Sequence, residues 1–271
     1  MMVLRSEILT REVTNYWEGI ANIWQEKRPQ KLWRCHSDQV NIELLSGWLP
    51  AMEHKHVLKT DLFDEACSEG IISSLSLPVK TTFGIDVSFS TAQSARKNNP
   101  NLQTLKADTR SLPIADHSFD VIISNSTLDH FKSSNEILKS LKELERILRP
   151  GGQLLLTLDN GLNPFVALRN ALPFKLLNSL GIVPYYVGKT FTPARLYRAL
   201  KKLNFEVVQV TGVMHFPRFI AVLIARVLEK YSNQFVHEKF LRYLMAFERL
   251  SKLPTRLLTG QFVAIKAIKK A

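Results

Sequence analysis

The chain has 271 residues, of which 45% are hydrophobic and 22% are charged, and its formal net charge is +12. This composition argues against a disordered chain, and two cysteines are too few for a disulfide framework or a cysteine-based metal site. Residues 161–271 hold 18 Lys and Arg against four Asp and Glu, so the positive surplus lies there. Such a region suits an anionic partner, and it equally suits a basic surface that aids solubility.

The N-terminal region predicts helices rather than a targeting signal. Arg5, Glu7, Arg11 and Glu12 interrupt its apolar residues, so a secretory signal is not expected. The apolar stretch 219–228 contains Arg226 and is shorter than the ~20 residues that span a membrane. We therefore predict a cytoplasmic protein without a transmembrane segment.

Two helices are predicted in the N-terminal region, at about 7–26 and 37–49. Ser37 or Asp38 is the expected N-cap of the second helix. Four tryptophans lie in this region, and they either pack between helices or roof a ligand pocket. They are Trp17, Trp24, Trp33 and Trp48.

Short apolar and β-branched runs alternate with helical patterns after residue 55, which is typical of a parallel sheet built from βαβ units. Helices are expected at 91–98 and 134–148, and Arg149-Pro150-Gly151-Gly152 forms a turn after the second of them. Residues 216–258 predict two helices inserted before the last strand. The seven predicted strands are 56–60, 81–85, 102–106, 119–124, 153–158, 205–210 and 261–268.

Three acidic residues follow successive predicted strands, namely Asp61, Asp86 and Asp108. The carboxyl ends of parallel strands meet at the edge of the sheet where ligands bind. A carboxylate after the second strand can accept two hydrogen bonds from a ribose diol, and Asp86 is in that position. Asp108, after the third strand, is placed to accept a hydrogen bond from the exocyclic amine of adenine. These positions predict a nucleoside-binding edge.

Residues 56–160 resemble the class I S-adenosylmethionine-dependent methyltransferase family. The resemblance is clearest in Gly84-Ile85-Asp86-Val87-Ser88, Lys106-Ala107-Asp108, the run from Leu112 to Ile122, and the run from Leu144 to Gly152. It implies a Rossmann-like, seven-stranded, mostly parallel α/β sheet with a reversed last strand, and S-adenosylmethionine as cofactor. It also implies that Asp86 and Asp108 hold the ribose and adenine. The expected organisation is an N-terminal helical region (1–50), a cofactor-binding core (51–160), and a basic helical cap with the last two strands (161–271).

The loop after the first strand departs from the family pattern, because Phe63, Glu65 and Cys67 stand where glycines are usual. We expect this loop to be an alternative cradle, in which Asp61 or Glu65 pairs with the cofactor ammonium and Phe63 packs away from the ligand. A decayed site, and carboxylates that only favour the start of a helix, are the alternatives. The predicted cofactor-binding residues are Asp61, Glu65, Asp86, Val87, Asp108, Thr109 and Asn125.

Acceptor-facing residues are expected after the fourth strand, where Asn125, Asp129 and His130 lie. His130 is the candidate general base, because imidazole titrates near neutral pH, although a histidine at such a junction is often only a polar cap. His36 is a further candidate, which would close over the cofactor from the N-terminal region, but a helix cap at Ser37 or Asp38 is the favoured interpretation of this stretch.

The sequence therefore predicts a methyltransferase that acts on a small or lipid-linked, anionic acceptor. A nicotinamide-dependent enzyme is disfavoured, because the expected GxGxxG motif does not follow the first strand. Nucleic acid is disfavoured because no recognised binding motif is present. A catalytically silent scaffold that binds an anionic partner, or contacts a membrane surface through its basic C-terminal part, is the alternative.

Overall fold

Seven runs of apolar and β-branched residues pair into one sheet with the order β3-β2-β1-β4-β5-β7-β6. The computed structural model describes residues 2–27, 29–51, 55–68, 70–179 and 183–271, with side chains from residue 12 onward except that of residue 79. The charged side chains at 5, 7 and 11 and residue 69 of the predicted cradle lie outside the described residues. The strands are β1 (Val57–Lys59), β2 (Thr82–Asp86), β3 (Gln103–Lys106), β4 (Phe119–Asn125), β5 (Leu148–Asp159), β6 (Phe205–Val213) and β7 (Phe262–Lys269).

Strands β1 to β5 pair in parallel, whereas β7 is antiparallel to both of its neighbours, β5 and β6. The predicted α/β fold, with a mostly parallel seven-stranded sheet and a reversed last strand, is confirmed. All seven predicted strands are present, with ends that differ by a few residues. The described helices are α1 (Met2–Lys27), α2 (Lys31–Trp48), α3 (Phe63–Cys67), α4 (Phe89–Asn98), α5 (Ser134–Ile147), α6 (Pro164–Ala171), α7 (Phe174–Ser179), α8 (Pro193–Lys202), α9 (Arg218–Tyr231), α10 (Gln234–Ala246) and α11 (Arg256–Thr259).

Helix α5 shows why the sheet is covered on one face. Ser133 and Glu136 form a capping box at its start, and its apolar side chains recur every three or four residues. Of the face predicted from the sequence, Leu138 is 38% exposed, because it lies at the edge of the buried stripe. The helix residues that are fully buried against β4, β5 and β7 are Ile137, Leu141, Leu144 and Ile147.

The predicted turn before β5 lies within the strand as a bulge. Leu148 pairs with Phe119 and Gln153 pairs with Val121, so the four residues between Leu148 and Gln153 stand outside the regular ladder. Gly151 has a φ of +75°, a conformation that favours glycine over residues with a side chain. The turn therefore leads the chain from α5 directly into β5, between β4 and β7.

The second N-terminal helix starts earlier than its sequence signals indicate. It begins at Lys31 after Gln30, which has a φ of +56° and makes no side-chain cap hydrogen bond. The prediction that Ser37 or Asp38 caps this helix is wrong, because both residues lie within it. Packing explains the longer helix: Leu32, Trp33 and Val40 are buried against α9 and α10.

The C-terminal cap is inserted between two adjacent antiparallel strands, β6 and β7. The two predicted helices of this insertion are α9 and α10, and a short 3₁₀ segment at Phe247–Lys252 and helix α11 follow them. A side chain at Gly212 would meet the carbonyl oxygen of Arg256 at 2.1 Å, so the insertion leaves and rejoins the sheet at closely packed backbone. Of the helices described, none is long and apolar enough to cross a membrane.

Candidate cofactor and acceptor site

A cavity of about 420 Å³ lies at the carboxyl edge of the sheet, where β1, β2 and β4 end. Asp61, Asp86, Asp108 and Asn125 all line it, as the positions at strand ends predict. Val87 and Thr109 line it as well. Six of the seven predicted cofactor-binding residues therefore line one cavity.

Asp86 joins the end of β2 to the loop after β1. Its Oδ2 atom accepts a hydrogen bond from the backbone N–H of Leu62 at 3.1 Å, and its Oδ1 atom accepts one from Ser88 at 2.8 Å. Burial, together with the nearby Asp61 carboxylate, raises the pKa of Asp86 to about 7. Each carboxylate oxygen keeps a further lone pair for a donor in the cavity.

Asp61 and Phe63 shape the loop where glycines would be usual. The Oδ1 atom of Asp61 accepts a hydrogen bond from the N–H of Phe63 at 2.9 Å, and burial raises the pKa of Asp61. The prediction that Phe63 packs away from the ligand is wrong, because its ring lines the cavity and lies 5.2 Å from the Arg34 guanidinium. A 3.3 Å ion pair to Asp64 holds Arg34 over that ring.

Glu65 does not line the cavity, contrary to the prediction that it meets the cofactor. Its Oε2 atom lies 2.7 Å from Nζ of Lys59, and its Oε1 atom accepts hydrogen bonds from the N–H groups of Ile71 and Ile72. Burial lowers the pKa of Lys59, but Glu65 and neighbouring carboxylates raise it by more. Glu65 therefore has a structural role beneath the loop.

Asp108 reaches the cavity, but its carboxylate already has a partner. Nε of Arg110 lies 3.0 Å from both carboxylate oxygens, and Nη2 lies 2.6 Å from Oδ2. Arg110 also donates to Glu136 at 2.5 Å. A ligand amine would share Asp108 with Arg110, so Asp108 is a weaker acceptor than its position in the sequence predicts.

Asn125 and Asp129 present polar atoms without a hydrogen-bond partner among the described residues. Both side chains are buried and line the cavity, and the unpartnered atoms are both side-chain atoms of Asn125 and Oδ1 of Asp129. Burial raises the pKa of Asp129 to about 6. Because buried polar groups are usually paired, these atoms indicate that the cavity receives a polar ligand.

His130 is held in one orientation at the cavity wall. Its Nδ1 atom lies 3.1 Å from the carbonyl oxygen of Tyr186, and a carbonyl can only accept, so Nδ1 carries the proton. Nε2 is then the basic nitrogen of the neutral ring. The rings of Trp17 and Tyr185 pack edge-on against the imidazole, with centroids 4.8 and 5.6 Å away.

His36 does not reach the cavity. It is fully buried in α2 beside Trp33, and burial lowers its pKa to about 4. His36 therefore belongs to the packing of the helical region, inside α2 and not beside a helix cap at Ser37 or Asp38 as favoured from the sequence.

Helix α1 roofs the cavity and is attached on both sides of it. Glu18 accepts hydrogen bonds from the N–H groups of Phe89 and Ser90 at the start of α4, at 2.5 and 3.2 Å. The Tyr16 hydroxyl accepts from the N–H of Tyr186 at 2.6 Å. Trp17, Trp24 and Trp33 line the cavity, whereas Trp48 packs elsewhere.

Two cavity residues, Tyr185 and Arg218, were not predicted from the sequence. The Tyr185 ring lies near Trp17, Trp24, Phe63 and His130, and its hydroxyl accepts a hydrogen bond from Arg218 at 3.3 Å. In the sequence, Tyr185 is marked only by a neighbouring proline and tyrosine, and Arg218 only by the proline before it. Their meeting depends on long-range packing that a single sequence does not reveal.

Comparisons with known proteins agree with this geometry. Residues 63–156 match the model of a methyltransferase domain family. A solved S-adenosylmethionine-dependent methyltransferase from Thermotoga maritima superposes with a TM-score of 0.61 at 17% identity, over 95% of this chain and 99% of that one. The core of the chain therefore resembles a methyltransferase domain family in sequence, and the fold of the chain is that of a class I S-adenosylmethionine-dependent methyltransferase.

Curated relatives match over part of this chain. A probable S-adenosylmethionine-dependent methyltransferase of Mycolicibacterium smegmatis is 25% identical over 156 residues, which are 57% of this chain and 55% of that protein. The probable tRNA methyltransferase 9B of Mus musculus is 32% identical over 93 residues, 34% of this chain and 20% of that protein. The chain thus spans about half, or less, of the length of these relatives.

The cavity fits S-adenosylmethionine, the cofactor of the methyltransferases that the chain resembles. Asp86 offers lone pairs to a ribose, and Asn125 offers a buried amide that has no partner among the described residues. Asp61 supplies a carboxylate at the same edge. Three of the residues predicted from the sequence therefore suit the cofactor's ribose and its ammonium group.

Proposed function

We propose that the protein transfers a methyl group from S-adenosylmethionine to a small or lipid-linked acceptor. The observation that supports this most directly is that cofactor-type residues and a candidate base share one cavity. Asp61, Asp86 and Asn125 lie at the sheet edge, and His130 lies on the wall of the same cavity. This arrangement would bring the two substrates together in the dry, oriented geometry that transfer requires.

Each of these residues would have a distinct task. Asp86 would hold the ribose diol, and Asp61 would pair with the ammonium group of the cofactor's methionine part. When bound, the cofactor supplies a methyl group on a sulfonium that is already activated. Nε2 of His130 would take a proton from the acceptor nucleophile where the reaction requires it, while Nδ1 stays bound to the Tyr186 carbonyl.

The cavity favours a small or lipid-linked acceptor over a nucleic acid. Its roof and walls are aromatic, with Trp17, Trp24, Trp33, Phe63 and Tyr185 around the site of transfer. The tRNA methyltransferase relative matches over only 34% of this chain, so its name does not define the acceptor here. A cytoplasmic location and peripheral contact with a membrane are part of this proposal.

Calorimetric titration with S-adenosylhomocysteine tests the cofactor part of the proposal. We expect saturable one-to-one binding that Asp86→Ala weakens. A folded protein that does not bind would support the silent-scaffold alternative instead. Incubation with radiolabelled S-adenosylmethionine and separate aqueous and lipid extracts would then identify the acceptor fraction.

A further inference from the structure

A second cavity of about 250 Å³ adjoins the cofactor cavity and shares three residues with it, Tyr185, Val187 and Arg218. We call this cavity the apolar groove. It runs between α6 and the start of α9, where the rings of Phe165 and Phe219 lie 5.5 Å apart. Its other lining residues are Val166, Leu168, Arg169, Leu172, Leu177, Val183, Pro184 and Gln261.

Arg218 lies where the two cavities meet; burial lowers its pKa, whereas Tyr185 and the more distant Asp159 and Asp129 raise it. Arg34, Arg110 and Arg169 each form an ion pair with an aspartate, at 3.3, 2.6 and 2.6 Å. Among the described residues no carboxylate lies within 4.0 Å of the Arg218 guanidinium, which instead donates to the Tyr185 hydroxyl and lies 5.8 Å from the Trp33 ring. A cation in such surroundings suits an anionic ligand group.

The mouth of the apolar groove is bordered by exposed apolar side chains. Leu168 is 61% exposed, Phe165 46% and Leu172 41%, although all three are large apolar side chains. Single exposed apolar residues are ordinary, but a cluster that borders a groove is typical of a binding surface. A hydrocarbon chain that enters here ends beside Arg218 and the cofactor cavity.

We propose that the apolar groove binds the hydrocarbon chain of an amphiphilic acceptor whose anionic head group pairs with Arg218. This inference rests on the proposed function, because it names the acceptor class of the same site. The head group would lie between Arg218 and His130, both of which contact Tyr185. The chain would occupy the space between α6 and α9.

Calorimetry with three probes separates the contributions of head and tail: octyl phosphate, inorganic phosphate and 1-octanol. We expect octyl phosphate to bind at least about tenfold more tightly than either of the others, since only it engages both Arg218 and the groove. Octyl phosphate that binds no more tightly than inorganic phosphate would overturn the proposal. Titration with S-adenosylhomocysteine is run separately, so failure of cofactor binding would count against the proposed function alone.

Matched variants test the two assigned surfaces. Arg218→Gln should weaken octyl phosphate binding about tenfold, whereas Arg226→Gln, on the exposed face of the same helix, should leave it unchanged. Leu168→Asp should weaken binding, and Leu223→Asp, which alters an exposed leucine outside the groove, should not. The assignment would be contradicted if both variants of a pair weakened octyl phosphate binding equally. It would also be contradicted if Arg218→Gln lost as much affinity for S-adenosylhomocysteine as for octyl phosphate.

A vesicle experiment identifies the source of the amphiphile. Cosedimentation with phosphatidylcholine vesicles that carry octadecyl phosphate, but not with plain vesicles, would assign the acceptor to a bilayer. Binding of soluble octyl phosphate without cosedimentation would assign a water-soluble acceptor of the same chemistry. In both cases Arg218→Gln must reduce the binding, and an unaffected variant would contradict the proposal.

Discussion

Nζ of Lys59 lies 2.7 Å from Oε2 of Glu65, and both side chains are buried beneath the loop that follows β1. Removing one member of a buried pair leaves the other charge without compensation, at a cost of roughly 3 to 5 kcal/mol. We therefore expect Glu65→Gln to lower the free energy of unfolding in urea. The double variant Lys59→Met/Glu65→Leu should recover much of this loss. A stable Glu65→Gln protein that has lost cofactor affinity would contradict the structural role.

Glycines in place of Phe63 and Glu65 would make the loop resemble the family pattern, but we expect no gain in cofactor affinity. The change removes the buried ion pair and the ring beneath Arg34, and it adds freedom to the unfolded chain. We expect the double-glycine variant to be less stable and to bind S-adenosylhomocysteine no more tightly. Tighter binding by calorimetry would favour the decayed-site alternative.

Asp86→Ala should weaken S-adenosylhomocysteine binding by about 1.5 to 3 kcal/mol, because ribose hydroxyls would lose a charged acceptor. Calorimetry measures the loss, and circular dichroism verifies that the variant is folded. Asp116→Ala, which changes an exposed aspartate outside the cavity, is the matched control. An unchanged affinity in a folded Asp86→Ala protein would exclude Asp86 from the ribose site.

The affinity for S-adenosylhomocysteine should depend on pH through Asp86. Burial and the Asp61 carboxylate raise the pKa of Asp86 to about 7, and the ribose diol needs the ionised form. Affinity should therefore rise as pH increases to about 7 and then level off. Calorimetry between pH 5 and 9 on the wild type and Asp86→Asn tests this, and a similar slope in both proteins would contradict it.

The Asp86 carboxyl also affects stability, but its effect on the free energy of unfolding changes with pH in the opposite direction to its effect on affinity. Its pKa in the folded protein is raised above the ordinary 3.8, so between these values the folded state holds more protons than the unfolded state. The contribution of Asp86 to the free energy of unfolding should thus fall as pH rises from about 4 to 7. Urea denaturation of wild type and Asp86→Asn over this range measures it.

His130→Gln should lower the rate of methyl transfer roughly 100- to 10,000-fold if the acceptor must lose a proton, the usual range for a general base. Its affinity for S-adenosylhomocysteine should remain close to that of the wild type, since the proposed function assigns the imidazole to the acceptor and not to the cofactor. Single-turnover transfer of a radiolabelled methyl group measures the rate. An unchanged rate in His130→Gln would exclude His130 as the general base and would favour catalysis by positioning of the two substrates alone.

Glu18→Gln should loosen the roof over the cavity. Hydrogen bonds from Ser90 and Phe89 lower the pKa of Glu18 despite its partial burial, so the carboxylate is charged at neutral pH. We expect faster dissociation of S-adenosylhomocysteine in stopped-flow experiments. Glu26→Gln, on an exposed part of the same helix, should not change the rate, and equal rates in both variants would exclude a role for this contact.

The sheet was predictable because its signals are local. β-Branched runs mark the strands, and the acids that end them reach the cavity because parallel strands share one edge. Helix α5 was predictable for a similar reason, since its capping residues and its apolar period lie within one segment.

The loop and the second helix were not predictable from such signals. A carboxylate just after a strand, such as Glu65, predicts a cofactor contact, but its partner in the structure is the buried Lys59, whose burial no local signal indicates. Ser37 and Asp38 are good N-cap residues, yet packing of Trp33 against the cap extends α2 past them. Arg218 and Tyr185 meet only after the chain has folded, so neither stood out.

The close approach of Gly212 and Gly260 has a consequence for how this protein can change. A side chain on Gly260 would meet Cα of Gly212 at 2.6 Å, so the long insertion between β6 and β7 departs and returns at a single narrow point. Strands β6 and β7 pair from Phe205 and Lys269 to Val213 and Phe262, with one irregularity between Val207 and Gln209, so the paired strands lie next to each other at both ends of the insertion. Residues 214–261 therefore form an exchangeable module. We expect sequence changes in this module to alter the C-terminal cap while the seven-stranded sheet keeps its order.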